Sequence, residues 1–161
     1  MSDPTDRTPD AGPARPTRRR LLAAVGAGGV AALAGCSGGG AETDSGPYNG
    51  YLADAAGFDG EAVDRTGNAE VTVAVGTGDG FAFDPVAVRV SPGTTVVWEW
   101  TGMGSRHNVV AEDGGFESNY YASEGQTFSH EFREPGVTKY YCTPHRNLGM
   151  VGVVEVAEES A

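Results

Sequence analysis

Residues Val137–Ala157 read VTKYYCTPHRNLGMVGVVEVA. Two runs rich in valine and tyrosine, VTKYYC and VGVVEVA, flank the stretch Cys142–Met150, CTPHRNLGM. β-Branched and aromatic residues favour extended backbone, so this segment reads as strand, loop, strand. The loop holds a thiol, an imidazole and a thioether, in a chain with only two cysteines, three histidines and three methionines. Whatever these side chains do, they do it from a connection between two strands, at one end of a sheet.

Outward from there the strand pattern recurs. Ala69–Gly76 (AEVTVAVG) puts Val71, Val73 and Val75 on one face, and Val86–Val90 (VAVRV) does the same with Val86, Val88 and Val90. Such alternation marks strands with one face in a core. After the turn Ser91-Pro92-Gly93, Thr94–Thr101 (TTVVWEWT) carries both tryptophans. His107–Ala111 (HNVVA) is short and apolar, and Thr127–Phe132 (TFSHEF) alternates Phe128, His130 and Phe132. With the two opening strands this makes seven, with no helix beyond a turn or two and no internal repeat. Short strands between Gly and Pro turns predict an all-β antiparallel sandwich. Residues 51–68 are less regular; Tyr51, Leu52 and Phe58 are expected to pack there, around a helical turn.

The N-terminal third has a different character. Residues 1–16 are polar and rich in Pro and Asp, unfit to build a core. Thr17-Arg18-Arg19-Arg20 then precedes a 14-residue apolar run, Leu21–Ala34, that ends in Leu33-Ala34-Gly35-Cys36. The run is too short for an ordinary spanning helix of about 20 residues and fits a signal peptide. Its basic lead reads as a twin-arginine export signal, and its end resembles a lipobox in which Cys36 takes lipid. An uncleaved, weakly apolar anchor is the alternative. Residues 1–35 are therefore assigned to a lipoprotein signal, 36–50 (CSGGGAETDSGPYNG) to a flexible tether, 51–68 to a lead-in and 69–161 to the folded domain. The protein is expected at the cell membrane on its outer face, held by lipid.

Beyond residue 35 the chain carries 19 acidic against 6 basic residues, and Lys139 is its only lysine. Nucleic-acid binding, which needs clustered Lys and Arg, is excluded as a function class. Dispersed acid with almost no lysine suits a surface adapted to high salt, a solubilising surface, or a dock for a basic partner. If Cys36 bears lipid, Cys142 has no disulfide partner within the chain. An odd thiol outside the cell is open to oxidation, so a bound metal explains it better than burial alone.

Cys142, His145 and Met150 are the candidate metal ligands. Pro144 restricts φ beside His145, and Gly149 permits a tight return before Met150. Zinc prefers several Cys or His ligands over a thioether, and iron–sulfur clusters need more thiolates than this chain has. Thiolate, imidazole and a weak thioether suit copper in both its oxidation states. A second imidazole must come from His107 or His130. His107 stands at a strand–loop junction and is preferred; His130 lies mid-strand, where a core-edge or surface histidine is ordinary. Met103, in the loop Gly102–Arg106, is a weaker candidate thioether than Met150.

These motifs resemble the type 1 (blue) copper proteins of the plastocyanin-like cupredoxin family, and within it the halocyanins of salt-loving archaea. The resemblance is carried by His107-Asn108-Val109, by Cys142-x2-His145-x4-Met150 with Tyr140-Tyr141 before it, and by Gly80-Phe81-Ala82-Phe83-Asp84-Pro85, Val90, Pro92-Gly93 and Val97-Trp98. It spans about residues 69–157. It implies a Greek-key sandwich of seven to eight strands and one copper ion. His107, Cys142 and His145 would lie in a near-trigonal plane, with Met150 axial. It further implies that the Asn108 backbone steadies the cysteine sulfur while its side chain ties the ligand loops together, and that Tyr141 marks a remote electron-transfer surface. Trp98-Glu99-Trp100 departs from the smaller polar residues common there. The implied activity is one-electron transfer, not substrate turnover, by a monomer serving redox partner proteins of the membrane electron-transport chain. Copper storage or delivery at the cell surface is the alternative. A binuclear copper domain is disfavoured because the loop has one cysteine, and a metal-free adhesion sandwich leaves the histidines and Met150 coincidental.

Overall fold

The computed structural model describes residues 46–158. The signal, Cys36 and the tether up to residue 45 lie outside the described residues. Among the described residues nine strands run in chain order: β1 (Val63–Asp64), β2 (Glu70–Thr77), β3 (Ala82–Asp84), β4 (Ala87–Val90), β5 (Thr94–Trp100), β6 (Val110–Ala111), β7 (Thr127–Phe132), β8 (Gly136–Tyr141) and β9 (Val151–Val156). They form two sheets, ordered β1-β4-β9-β8-β6 and β3-β2-β5-β7.

The all-β sandwich holds, and its core follows from the alternation. Val71, Val73 and Val75 of β2 meet Val96, Trp98 and Trp100 of β5 from one sheet, and Val88, Val90, Tyr140, Val154 and Val156 from the other. Trp98 is fully buried at the centre, with ring centroids of Phe116, Tyr140, Phe128 and Phe132 at 5.2, 5.3, 5.8 and 6.3 Å. Glu99, between the two tryptophans, points to solvent, so the departure at Trp98-Glu99-Trp100 is a large core residue beside an exposed acid.

Three expectations need correction. The sheets are mixed: β2 pairs parallel with β5, and β4 pairs parallel with both β9 and β1. Alternation reports which face is buried but not strand direction. β1 and β3 are added to the seven strands; at two and three residues they are too short to show a period. His107 does not open a strand. Its backbone exchanges hydrogen bonds with Tyr121 in an isolated bridge, the Val109 amide is taken by the Ser118 hydroxyl, and β6 begins at Val110.

β9 shows why the lead-in matters. Val151, Gly152, Val153 and Val154 are all buried, without alternation. Val154 faces the main core, whereas Val151 and Val153 join Leu52, Val86 and Ala87 in a second cluster flanked by Tyr48, Tyr51 and Phe58. A strand covered on both faces reads as a continuous apolar run. The covering segment starts inside the stretch assigned to the tether. Pro47–Gly50 is a 3-10 turn, and the Tyr48 hydroxyl donates to Glu155 at 2.9 Å. At Gly152 a side chain would overlap the Tyr140 ring, which lies across it from the paired position on β8.

Candidate metal centre

β8 delivers Cys142 to the end of the sandwich. There the chain curls into a 3-10 turn over Thr143–Leu148, with Pro144 in its first turn, and Gly149 closes it with φ 83°. The Cys142 amide donates to the Met150 carbonyl at 3.0 Å, and the Met150 amide to the His145 carbonyl at 3.2 Å. These bonds fold the loop back on itself and hold all three candidate ligands at its neck. Cys142 and Met150 are fully buried, and His145 is half-buried.

His107 comes from the segment just before β6, the edge strand that pairs with β8 in the same sheet. The Trp100 indole donates to its carbonyl at 3.1 Å, and Tyr121 brackets its backbone from both sides. Its ring Nε2 lies 2.8 Å from the Met103 carbonyl. A carbonyl only accepts, so Nε2 carries the proton and Nδ1 is left as a lone-pair donor toward the site. Met103 thus contributes its backbone; its side chain is exposed. The approach is possible because residue 76 is glycine, with φ 86°. A Cβ there would sit 2.7 Å from the Met103 oxygen and 3.2 Å from His107 Nε2.

The three donor atoms converge. Cys142 Sγ lies 3.6 Å from His107 Nδ1 and 3.5 Å from His145 Nδ1, and the two Nδ1 atoms are 3.0 Å apart. A point equidistant from those three corners is about 2.0 Å from each, within the range of about 2.0–2.3 Å over which imidazole and thiolate bind a metal ion. Among the described residues, this is the one cluster of three such side chains able to hold an ion. The electrostatics agree. Burial pushes the Cys142 thiol up from 9.0, partly offset by the amides of Asn108 and His145 that point at the sulfur. Burial lowers His107, and burial with the neighbouring His107 lowers His145. Both imidazoles are therefore neutral and ready to ligate at neutral pH, and a cation would draw the thiol to thiolate.

The other sequence candidates lie at different removes from this triad. Asn108 is fully buried; its side chain accepts from the Thr143 amide at 2.9 Å and donates to the Thr143 hydroxyl at 3.1 Å, linking the His107 segment to the Cys142 loop. Tyr141 is half-buried on the opposite face from Cys142, with the Arg146 guanidinium 4.3 Å over its ring and Arg146 in turn paired with Glu112. Pro144 is exposed on the turn. His130 lies outside the triad, its ring between Phe116 and Phe132 at 4.8 and 5.0 Å. Sequence reasoning missed the role of Phe81. Its ring sits 4.7 Å from that of His145 and 6.4 Å from that of His107, shielding both. The Gly80-Phe81-Ala82-Phe83 stretch shows two aromatics on one parity, and nothing in its spacing says that one caps a ligand while Phe83 is core.

Comparison with known proteins agrees with this geometry. Residues 69–157 match the copper binding proteins, plastocyanin/azurin family. The chain is 48% identical to a halocyanin of Natronomonas pharaonis over 158 residues, covering 87% of this chain and 97% of that protein. It is 35% identical to a plastocyanin of Vicia faba over 99 residues, 53% of this chain and 99% of that one. Among solved structures, a mutant plastocyanin of fern is 25% identical, with a TM-score of 0.48 over 54% of this chain and all of that one. His107, Cys142, His145 and Met150 form a type 1 copper-like site.

Proposed function

Because the chain belongs to the plastocyanin/azurin family of copper-binding proteins, we propose that it is a one-electron carrier. It would work at the outer face of the cell membrane, held there by lipid on Cys36, between partners of the respiratory chain. Bound by His107, Cys142, His145 and Met150, copper supplies a Cu(II)/Cu(I) couple. The protein does the rest. The soft sulfurs favour the reduced ion and the imidazoles the oxidised one, and ligands held by the sandwich and its closing turn would limit the change of geometry between them.

The observation that carries this reading is the convergence of one buried thiol and two differently exposed imidazoles on one point. His145 is half-buried, with Phe81 against it and Leu148 exposed nearby on the same turn, so an electron has a short way in or out past an apolar rim. Tyr141, next to Cys142 in sequence and lying under Arg146, is a second exit. The excess of acid beyond residue 35 suits a basic partner or a high-salt medium.

Two experiments test this. The chain loaded with Cu(II) should show an intense blue thiolate-to-copper absorption band that disappears in Cys142→Ser. A colourless protein that binds zinc equally well would sink the carrier reading. Fractionation of cells should place the protein with membranes, and Cys36→Ala should release it.

A further inference from the structure

The family match begins at residue 69, yet the structure puts an earlier segment directly against the ligand loop. The strap Tyr48–Phe58 is seated by Leu52, which is fully buried against Val86, Val151 and Val153. From that seat it touches both ends of the loop. The Tyr51 hydroxyl donates to the Tyr140 carbonyl at 2.9 Å, two residues before Cys142. On the far side, Gly149 lies so close to the strap that any side chain there would overlap the Asp54 carbonyl oxygen. The Gly149 turn is the link between His145 and Met150, since its amide closes the 3-10 turn and the next amide bonds the His145 carbonyl. A third contact is indirect. Glu112, whose charge reaches Tyr51, pairs with Arg146, the residue after His145.

We infer that this strap is a positioning element of the copper loop: Leu52 and Tyr51 seat it, and its backbone at Asp54 backs the Gly149 turn and so the placement of His145 and Met150. The inference rests on copper being the ion. The mechanism is restraint. Residues 143–149 have no β-partner on their outer side, and the strap supplies the wall that keeps the turn from opening. Residues that orient metal ligands from behind typically change metal affinity about 10- to 100-fold when removed.

The test uses the full chain and sets two disrupting strap variants and one refilling variant against a remote control. Tyr51→Phe removes one hydrogen bond and keeps the ring. Leu52→Ala unseats the strap, and Leu52→Met refills the seat. Val90→Ala empties a core position at the opposite end of β4, where Val90 pairs with Val156. Copper loss to excess chelator should be about tenfold faster in Leu52→Ala, faster to a lesser degree in Tyr51→Phe, and restored in Leu52→Met. In the copper-free chain the Gly149 and Met150 amides should exchange faster with solvent deuterium in the same two variants. Val90→Ala should lower the melting temperature without moving either readout. Strap variants that melt earlier but keep parental copper loss and amide exchange would overturn the inference. A parent chain with no blue band would instead break the copper reading, and the exchange of the copper-free chain would still decide for or against the strap.

Discussion

The two imidazoles that face Cys142 are held in opposite ways. His107 is 1% exposed, its backbone is bonded by Trp100 and Tyr121, and its far ring nitrogen is bonded to the Met103 carbonyl. His145 rides on a six-residue 3-10 turn, half in solvent, with the Phe81 ring as its cover. One ligand is part of the sandwich and the other part of a loop. A site can thus be rigid and reachable together: the sandwich sets one imidazole corner of the triangle, and the loop brings the other imidazole within reach of a partner.

Removing each ring is the strongest way to break this contrast. In His145→Gly the cavity opens to water, so millimolar imidazole should restore the blue band of the Cu(II) protein. His107→Gly opens inward, so the same imidazole should restore little or nothing. Equal rescue would mean that the two sites are equally accessible.

The next largest effect probes the His107 mounting. Gly76→Ala combines a positive φ with overlap onto the Met103 carbonyl, and should cost about 3 kcal/mol in denaturant unfolding. Gly78→Ala has a positive φ and open space around it, and should cost only about 1 kcal/mol. If the two cost the same, the close approach behind His107 contributes nothing.

Asn108 joins the two mountings. Asn108→Ala removes both Thr143 bonds at a buried position and should cost about 1–3 kcal/mol, with a shifted absorption band because the loop carrying Cys142 is freed from the His107 segment. An unchanged band would show that the loop keeps its place unaided.

The smallest effect is in pH. Both imidazoles have lowered folded-state values, so the unfolded chain binds protons more readily as pH falls below the ordinary 6.5. The copper-free protein should therefore lose stability as pH falls through 6.5. The Cys142 thiol is raised, so its contribution is present below its ordinary 9.0 and lost above it. Melting temperature against pH should show a plateau between these limits, with the limb beginning near 9 reduced in Cys142→Ser. The acid limb should be shallower in His107→Ala than in His145→Ala, because burial acts more fully on the ring inside the sandwich.

Much of this was legible beforehand for a local reason. Alternation in Glu70–Thr77 and Thr94–Trp100 names the core face because the side-chain period of a strand is two residues. The Cys142–Met150 loop announces a site because its donor atoms are neighbours in sequence as well as in space. Other features are not local. That β2 runs parallel to β5 depends on the chain leaving through β3 and β4 before it returns. The valines of β9 do not say that Tyr48, Tyr51 and Leu52, about a hundred residues earlier, cover their outer face. Phe81 looks like any strand-flanking aromatic until the fold lays it on His145.

The donor types and their spacing, the all-β class and the excess of acid can be read from the chain alone, because these are properties of composition and of short-range period. The folded arrangement settled the sequence's preference for His107 over His130 as the third corner of the triad. The same arrangement makes Met103 serve through its carbonyl and brings Asn108 across 35 positions to bond Thr143. The β6–β8 pairing brings the His107 segment and Asn108 beside the Cys142 loop while β7 carries His130 in the other sheet, and the loop Gly102–Arg106 turns the Met103 carbonyl back onto the His107 ring; none of this is a property of short-range period.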